Sequence, residues 1–275
     1  MKKFAWVVFL ISVILSGCST TKDFATRVKE SQNIATQNNF QVRLVKGGEF
    51  VLTTYQRIAD RNLPFVFYIE GDGHLADGAV NSDNPTPANP MLIKLAAIDK
   101  RPNVVYIARP CQYTPLKMNP KCINDYWLDK RMNGEVVSSI NDVINTINNG
   151  QKFSLVGFSG GGGLAILIAN QNPNVKDIIT IAGNLDTENF DKHHNYRGYL
   201  VKSLNPINYA KQVNNIPQLH LSGQNDKRVP PFIAESYVKA SSSTCVKHQI
   251  IPDNSHARGW DKVWSGILNI PLVCN

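Results

Sequence analysis

From residue 40 onward, apolar positions switch between two periods, and the switches lay out a series of strands and helices. Residues 40–45 and 50–55 are short runs of alternating apolar character, separated by Gly47-Gly48, a hairpin signal. Phe65-Val66-Phe67-Tyr68-Ile69 is an unbroken run of β-formers, as expected of a strand covered on both faces. Residues 91–98 follow at helical spacing, and Val104-Val105-Tyr106-Ile107-Ala108 is a second covered strand. Across 134–149, Val136, Val137, Ile140, Val143, Ile144 and Ile147 form one stripe of an amphipathic helix. Strands at 153–156, 178–182, 219–221 and 248–251 then interleave with helices at 164–169, 232–239 and 263–268. Two leading β-runs followed by alternating strand and helix predict an α/β fold, a mostly parallel sheet with helices on both faces. Residues 185–213 break the rhythm with a polar stretch bearing Asn and His, read as a cap-like insertion within a body spanning 39–275.

Composition narrows the class. Of 275 residues 43% are hydrophobic, enough buried surface to offset the ordering entropy, and this excludes a wholly disordered chain. Glycine and proline follow no fixed period, which excludes collagen-like architecture. The net charge of +8 raises the question of nucleic acid, but no Lys/Arg cluster is longer than two residues. The excess is diffuse, a mildly basic surface near an anionic membrane explains it as well, and no nucleic-acid partner is expected.

The first residues set an expected compartment. Lys2 and Lys3 precede an apolar run from Phe4 to Ile14, too short to span a bilayer but suited to a secretory signal. The following Leu15-Ser16-Gly17-Cys18 resembles a bacterial lipobox. That resemblance implies a signal peptide over 1–17, a lipidated Cys18 as the mature N-terminus and, with Ser19 next, the outer membrane. Residues 18–38 then read as a polar tether, with room for a short helix. Removing two lysines leaves a charge of about +6, and acyl chains at about 0.8 kcal/mol per buried CH₂ would anchor the protein to the membrane. With Cys18 used by lipid, Cys111, Cys122, Cys245 and Cys274 remain, an even number in an oxidising compartment. Of three pairings the sequence-local one, Cys111–Cys122 and Cys245–Cys274, is expected, and loop closure entropy assigns those bonds about 3 and 3.6 kcal/mol. No two cysteines have metal-site spacing, so no metal is expected.

Candidate chemistry centres on Gly157-Phe158-Ser159-Gly160-Gly161, which follows the strand at 153–156 and runs into the helix at 164–169. In that context a G-x-S-x-G match has physical content. The serine occupies a tight turn with its hydroxyl above the sheet, and small neighbours let strand and helix approach. Helix N-terminal amides then face developing negative charge. The run Gly160 to Gly163 costs a helix about 1 kcal/mol per glycine relative to alanine, a penalty that points to close packing or a reacting group.

At this motif the chain resembles the α/β-hydrolase fold family over about 40–275. The family orders its residues Ser, acid, His after successive strands. Asp226, in Gly223-Gln224-Asn225-Asp226-Lys227-Arg228-Val229-Pro230, matches the acid loop, and His256 follows the last strand. The resemblance implies Ser159 as nucleophile, His256 as general base and Asp226 as the residue that fixes its tautomer. Asp186 matches an alternative acid position, whereas Asp253 reads as a turn residue. His220 reads as packed core, and His193 and His194 sit in the insertion. The oxyanion donors implied are the amides of Asp72 and Gly160. In Glu70-Gly71-Asp72-Gly73-His74, Glu70 stands where the family often has His. An acidic side chain at 72 is unfavourable beside an oxyanion unless it points away. Arg109, at the active edge of the sheet, would meet either an acidic substrate group or a carboxylate of the protein.

The expectation is a lipid-anchored serine hydrolase acting on a small-molecule or lipid carboxylic ester without a cofactor. A thioesterase or peptidase would use the same three residues, and a non-catalytic envelope-binding lipoprotein would keep only the fold. Dehalogenase-like chemistry would want Asp where Ser159 stands.

Overall fold

The computed structural model describes residues 22–77, 80–196 and 200–274. The expected signal peptide over 1–17 and the expected lipidation site Cys18 lie outside the described residues.

The predicted hairpin is β1 (Gln41–Gly47) and β2 (Phe50–Ile58), paired antiparallel with Gly47 opposite Phe50. Gly48 in its turn has φ +53°, a value glycine adopts without steric cost. Next come β3 (Phe65–Ile69), the two-residue strands β4 (Ala76–Asp77) and β5 (Val80–Asn81), and β6 (Asn103–Ile107). The remaining strands are β7 (Phe153–Phe158), β8 (Val175–Ile181), β9 (Gln218–Gly223) and β10 (Val246–Ile251). Eight of them form one sheet in the order β1-β2-β6-β3-β7-β8-β9-β10, parallel from β6 to β10. β2 runs antiparallel to β6.

Side chains alternate across this sheet and feed two cores. Phe65, Phe67 and Ile69 of β3 and Val105 and Ile107 of β6 point to one face, under α3 (Gly134–Ile147), α4 (Gly160–Ala169) and α6 (Pro231–Ser241). Val66, Tyr68, Val104 and Tyr106 point to the other, under α2 (Met91–Ile98) and α7 (Trp260–Ile267), where Trp260 and Trp264 are fully buried. Both-face coverage is why β3 and β6 read as continuous apolar runs.

Three stretches differ from the sequence expectation. Within the expected tether, α1 (Phe24–Gln37) is a 14-residue helix that packs on the body. Its buried stripe is Arg27, Ser31 and Ala35, and Arg27 Nη1 donates to the Thr86 carbonyl at 2.7 Å. A face of small and polar residues carries no apolar period to read. α4 begins at Gly160 rather than at 164, for reasons set by the site. The polar stretch at 185–213 holds α5 (Thr187–His193) and a short 3₁₀ turn that packs on α4 and α6, with Leu185, Phe190, Leu200, Ala210 and Val213 buried in the core on that face of the sheet. Both disulfides take the sequence-local pairing, with Cα–Cα distances of 5.7 Å for Cys111–Cys122 and 4.2 Å for Cys245–Cys274.

Candidate active site

Ser159 joins β7 to α4 with φ 53° and ψ −121°, a conformation that costs a non-glycine residue free energy and survives only if its surroundings enforce it. They do so through backbone bonds. Ser159 N donates to the Ile181 carbonyl, and the Ser159 carbonyl accepts from Gly162 N and Asn184 N, all at 2.9 Å. The glycines let the helix sink between strand ends. A Cβ on Gly161 would lie 2.5 Å from the Glu70 carbonyl oxygen, and one on Gly162 would lie 2.8 Å from Gly183 Cα. Four consecutive glycines therefore open α4 because the Asp72 carboxylate at Gly160, and neighbouring backbone at Gly161, Gly162 and Gly163, occupy the space their side chains would need.

Asp226 follows β9 with its side chain sealed from solvent. Its Oδ1 accepts from Arg228 N at 2.8 Å and Val229 N at 2.9 Å, an Asx-type turn, while Oδ2 faces His256 Nδ1 at 2.8 Å. His256 sits on the loop between β10 and α7. Trp260 Nε1 ties that loop down by donating to the carbonyls of Ser255 and His256, and Asn225 N reaches the Asn254 carbonyl at 2.9 Å. Phe158 packs beside the imidazole, ring centres 5.1 Å apart. His256 Nε2 lies 3.1 Å from Ser159 Oγ. A carboxylate that accepts two amides on one oxygen takes a proton donor on the other, so Nδ1 carries the hydrogen and Nε2 is left to accept from the serine. The arrangement can move a proton from the Ser159 hydroxyl to His256 while Asp226 holds the ring.

The rival acid is otherwise engaged. Asp186 caps α5, accepting from Asn189 N at 3.2 Å and Asn189 Nδ2 at 2.7 Å, and it also accepts from Ser236 Oγ at 2.9 Å. Asp253 lies exposed in a turn with φ 60°. His220 is buried between Thr180 and Gln218, and burial pushes its pKa down to about 3, so it stays neutral core. His193 and His194 pack edge to face, and His194 Nε2 contacts the Arg228 carbonyl at 2.7 Å.

After β3, Glu70 is buried, accepting from Tyr106 Oη at 2.7 Å and from Gly71 N at 2.8 Å. Burial pushes its carboxyl up to about 7 against the opposing pull of those two bonds and of Arg109. Asp72 points its carboxylate into two guanidiniums. Arg109 Nη1 is in close contact with Oδ1, and Arg131 Nε lies 3.2 Å from Oδ2. Burial would raise the Asp72 pKa, but Arg131 and Arg109 together hold it below the usual carboxylate range. Arg109 thus meets a carboxylate of the protein. Arg131 carried no signal in the sequence, because it stands in an irregular loop with no motif around it.

Phe158, Asn184, Phe190, Val229 and the loop around His256 surround Ser159 in a cleft of about 860 Å³. Among the described residues no group of three or more His, Cys, Asp or Glu side chains is placed to hold a metal ion. None of the described helices is long and apolar enough to cross a membrane.

Comparison with known proteins bears on fold and family. No curated protein matches the chain. Lip1 from Acinetobacter baumannii AYE is similar at 13% identity, with 90% of this chain and 95% of that one covered and a TM-score of 0.61. Est1E from Butyrivibrio proteoclasticus is 13% identical, covering 82% and 97%, with a TM-score of 0.57. The 2,6-dihydroxy-pseudo-oxynicotine hydrolase is 15% identical, covering 91% and 75%, with a TM-score of 0.62. At these identities the likeness shows the fold, the α/β-hydrolase fold. A family model described as serine hydrolase (FSH1) matches residues 99–256, more than half of the chain and the stretch that contains Ser159, Asp226 and His256. With the match spanning all three residues, the chain belongs to the FSH1 serine hydrolase family.

Proposed function

We propose that the protein hydrolyses carboxylic esters through an acyl-enzyme formed on Ser159. The observation that carries this is the continuous path from Asp226 Oδ2 to His256 Nδ1 at 2.8 Å and from His256 Nε2 to Ser159 Oγ at 3.1 Å. In the first half-reaction Ser159 Oγ bonds to the ester carbonyl carbon as its proton passes to His256 Nε2. The resulting imidazolium, stabilised by Asp226, returns that proton to the departing alkoxide as the C–O bond breaks. Water then repeats the sequence, giving a proton to His256 and its oxygen to the acyl carbon, and frees the acid. The amides of Asp72 and Gly160 are assigned to the oxyanion. Gly160 N–H stands in the first turn of α4, where no intrahelical carbonyl accepts it, and each such donor is worth about 2.7–4 kcal/mol in the transition state. The pairing of the Asp72 side chain with Arg109 and Arg131 supports this reading, because two guanidiniums compensate its charge beside the assigned donors.

A fluorophosphonate probe tests the chemistry. The wild type is expected to be labelled and Ser159→Ala to stay unlabelled; a folded, unlabelled wild type would sink the reading. A 4-nitrophenyl ester series of rising acyl length then ranks substrates, and activity confined to the shortest chains excludes a lipase.

We further propose that the enzyme is carried on lipidated Cys18 at the bacterial outer membrane. Lys2-Lys3, the apolar run and Leu15-Ser16-Gly17-Cys18 support this, as do two disulfides, which persist in oxidising compartments. Metabolic palmitate labelling of the full chain, abolished in Cys18→Ala, is the expected result.

A further inference from the structure

The cleft carries an imbalance of charge that ester hydrolysis itself does not require. Lys227 and Arg228 follow Asp226 directly, and Arg258 stands two residues after His256. All three line the cleft and are exposed, and no carboxylate among the described residues pairs with any of them. The two acids that also line it are spent within the protein. Asp72 is held by Arg109 and Arg131, and Glu70 by Tyr106 and the Gly71 amide. Among the described residues the rim of the cleft is thus cationic, with no carboxylate paired to Lys227, Arg228 or Arg258. A second observation lies deeper. Asn184 lines the same cleft, donates its backbone N–H to the Ser159 carbonyl at 2.9 Å and is 1% exposed. Neither its Oδ1 nor its Nδ2 has a hydrogen-bond partner among the described residues. A buried carboxamide with both ends unused is unfavourable in the free protein, and a polar ligand group in the cleft relieves it.

From this we infer that the cleft selects esters carrying an anionic group, held by Lys227, Arg228 and Arg258, with Asn184 supplying a neutral hydrogen bond nearer the serine. The inference rests on the ester-hydrolase reading and names its substrate class. Arginine suits the task, since its planar fork matches carboxylate and phosphate oxygens.

Matched pairs of esters test it. Mono-4-nitrophenyl adipate against 4-nitrophenyl hexanoate places the charge on the acyl side. The butyrate ester of 4-hydroxybenzoate against that of its methyl ester places it on the alcohol side. Each kcat/KM is divided by the ester's own hydroxide rate. At low salt the anionic member of at least one pair is expected to be favoured about tenfold, the scale of one or two screened charge contacts, and the preferred pair names the side. The preference is expected to shrink in 0.5 M NaCl, to fall towards one in K227Q/R228Q/R258Q and to fall in N184L, while Lys176→Gln, far from the cleft, keeps it. A wild type labelled at Ser159 whose ratio is one or less in both pairs overturns the inference and leaves the hydrolase reading standing. A preference that survives the triple substitution overturns it too. A wild type that is neither labelled nor active removes both.

Discussion

Asp72 and Arg131 face each other at 3.2 Å, carboxylate Oδ2 to guanidinium Nε, at the mouth of the loop assigned to the oxyanion. Arg131 is 1% exposed, and Arg109 closes the other side of the same carboxylate. An acid that would oppose negative charge on a substrate is thereby turned into a structural anchor for the loop. Arg131→Met leaves Asp72 buried with half its compensation. A stranded charge of this kind costs about 3–5 kcal/mol, so the urea midpoint is expected to drop sharply. Asp72→Asn combined with Arg131→Met is expected to recover part of the loss, and a double variant no better than the single would reject the pairing as the cause.

The acid that serves His256 can be separated from its rival by two substitutions. Asp226→Asn keeps the shape but offers Nδ1 a donor in place of an acceptor, favouring the wrong tautomer. A fall of about 10⁴ in kcat on 4-nitrophenyl acetate is expected. Asp186→Asn weakens a helix cap and its bond to Ser236, costing about 1 kcal/mol of stability with kcat kept within a few-fold. The reverse pattern would transfer the role to Asp186.

Glu70 gives stability a pH dependence of predictable sign. Its carboxyl titrates at about 7 in the folded protein, because burial disfavours the charge, and near the usual 4.5 when unfolded. Between those values the folded state holds a proton that the unfolded state has released. Stability is therefore expected to fall as pH rises through that window, by about 3 kcal/mol in all. Glu70→Gln removes the ionisation while Oε1 still accepts from Gly71, so its stability curve should be flatter between pH 5 and pH 8. Parallel curves for wild type and variant would show that Glu70 does not titrate there.

Gly161→Ala tests the close approach at the head of α4. The added Cβ would lie 2.9 Å from the Ile69 carbonyl carbon, backbone that has no rotamer to move. A loss of about 1–3 kcal/mol or more is expected, read as a lowered Tm. Gly134→Ala, where the Cβ meets nothing within 4 Å, serves as the control.

The strands and helices were legible from residue 40 on because burial on one or two faces imposes a period that the chain must display. The stripe of α3 and the covered runs of β3 and β6 appear in the structure almost residue for residue. Ser159, Asp226 and His256 were legible for a different reason. The turn at Ser159 needs glycines at fixed offsets, and the two loops carry short local signatures. α1 escaped because its buried stripe is Arg27, Ser31 and Ala35, which packs by size and by a bond to Thr86 rather than by hydrophobicity.

What the sequence determined alone is whatever is enforced locally: periodicity, turn chemistry, the spacing of the glycines and the order of the three candidate residues. Tertiary structure decided which carboxylate reaches His256, that Asp72 turns towards Arg109 and Arg131, and that the Asn184 carboxamide lines the cleft with no hydrogen-bond partner among the described residues. The first two depend on meetings of side chains 30, 37 and 59 positions apart. The energies of such meetings come from burial and from charges brought together in a low dielectric, which exist only once the sheet has assembled.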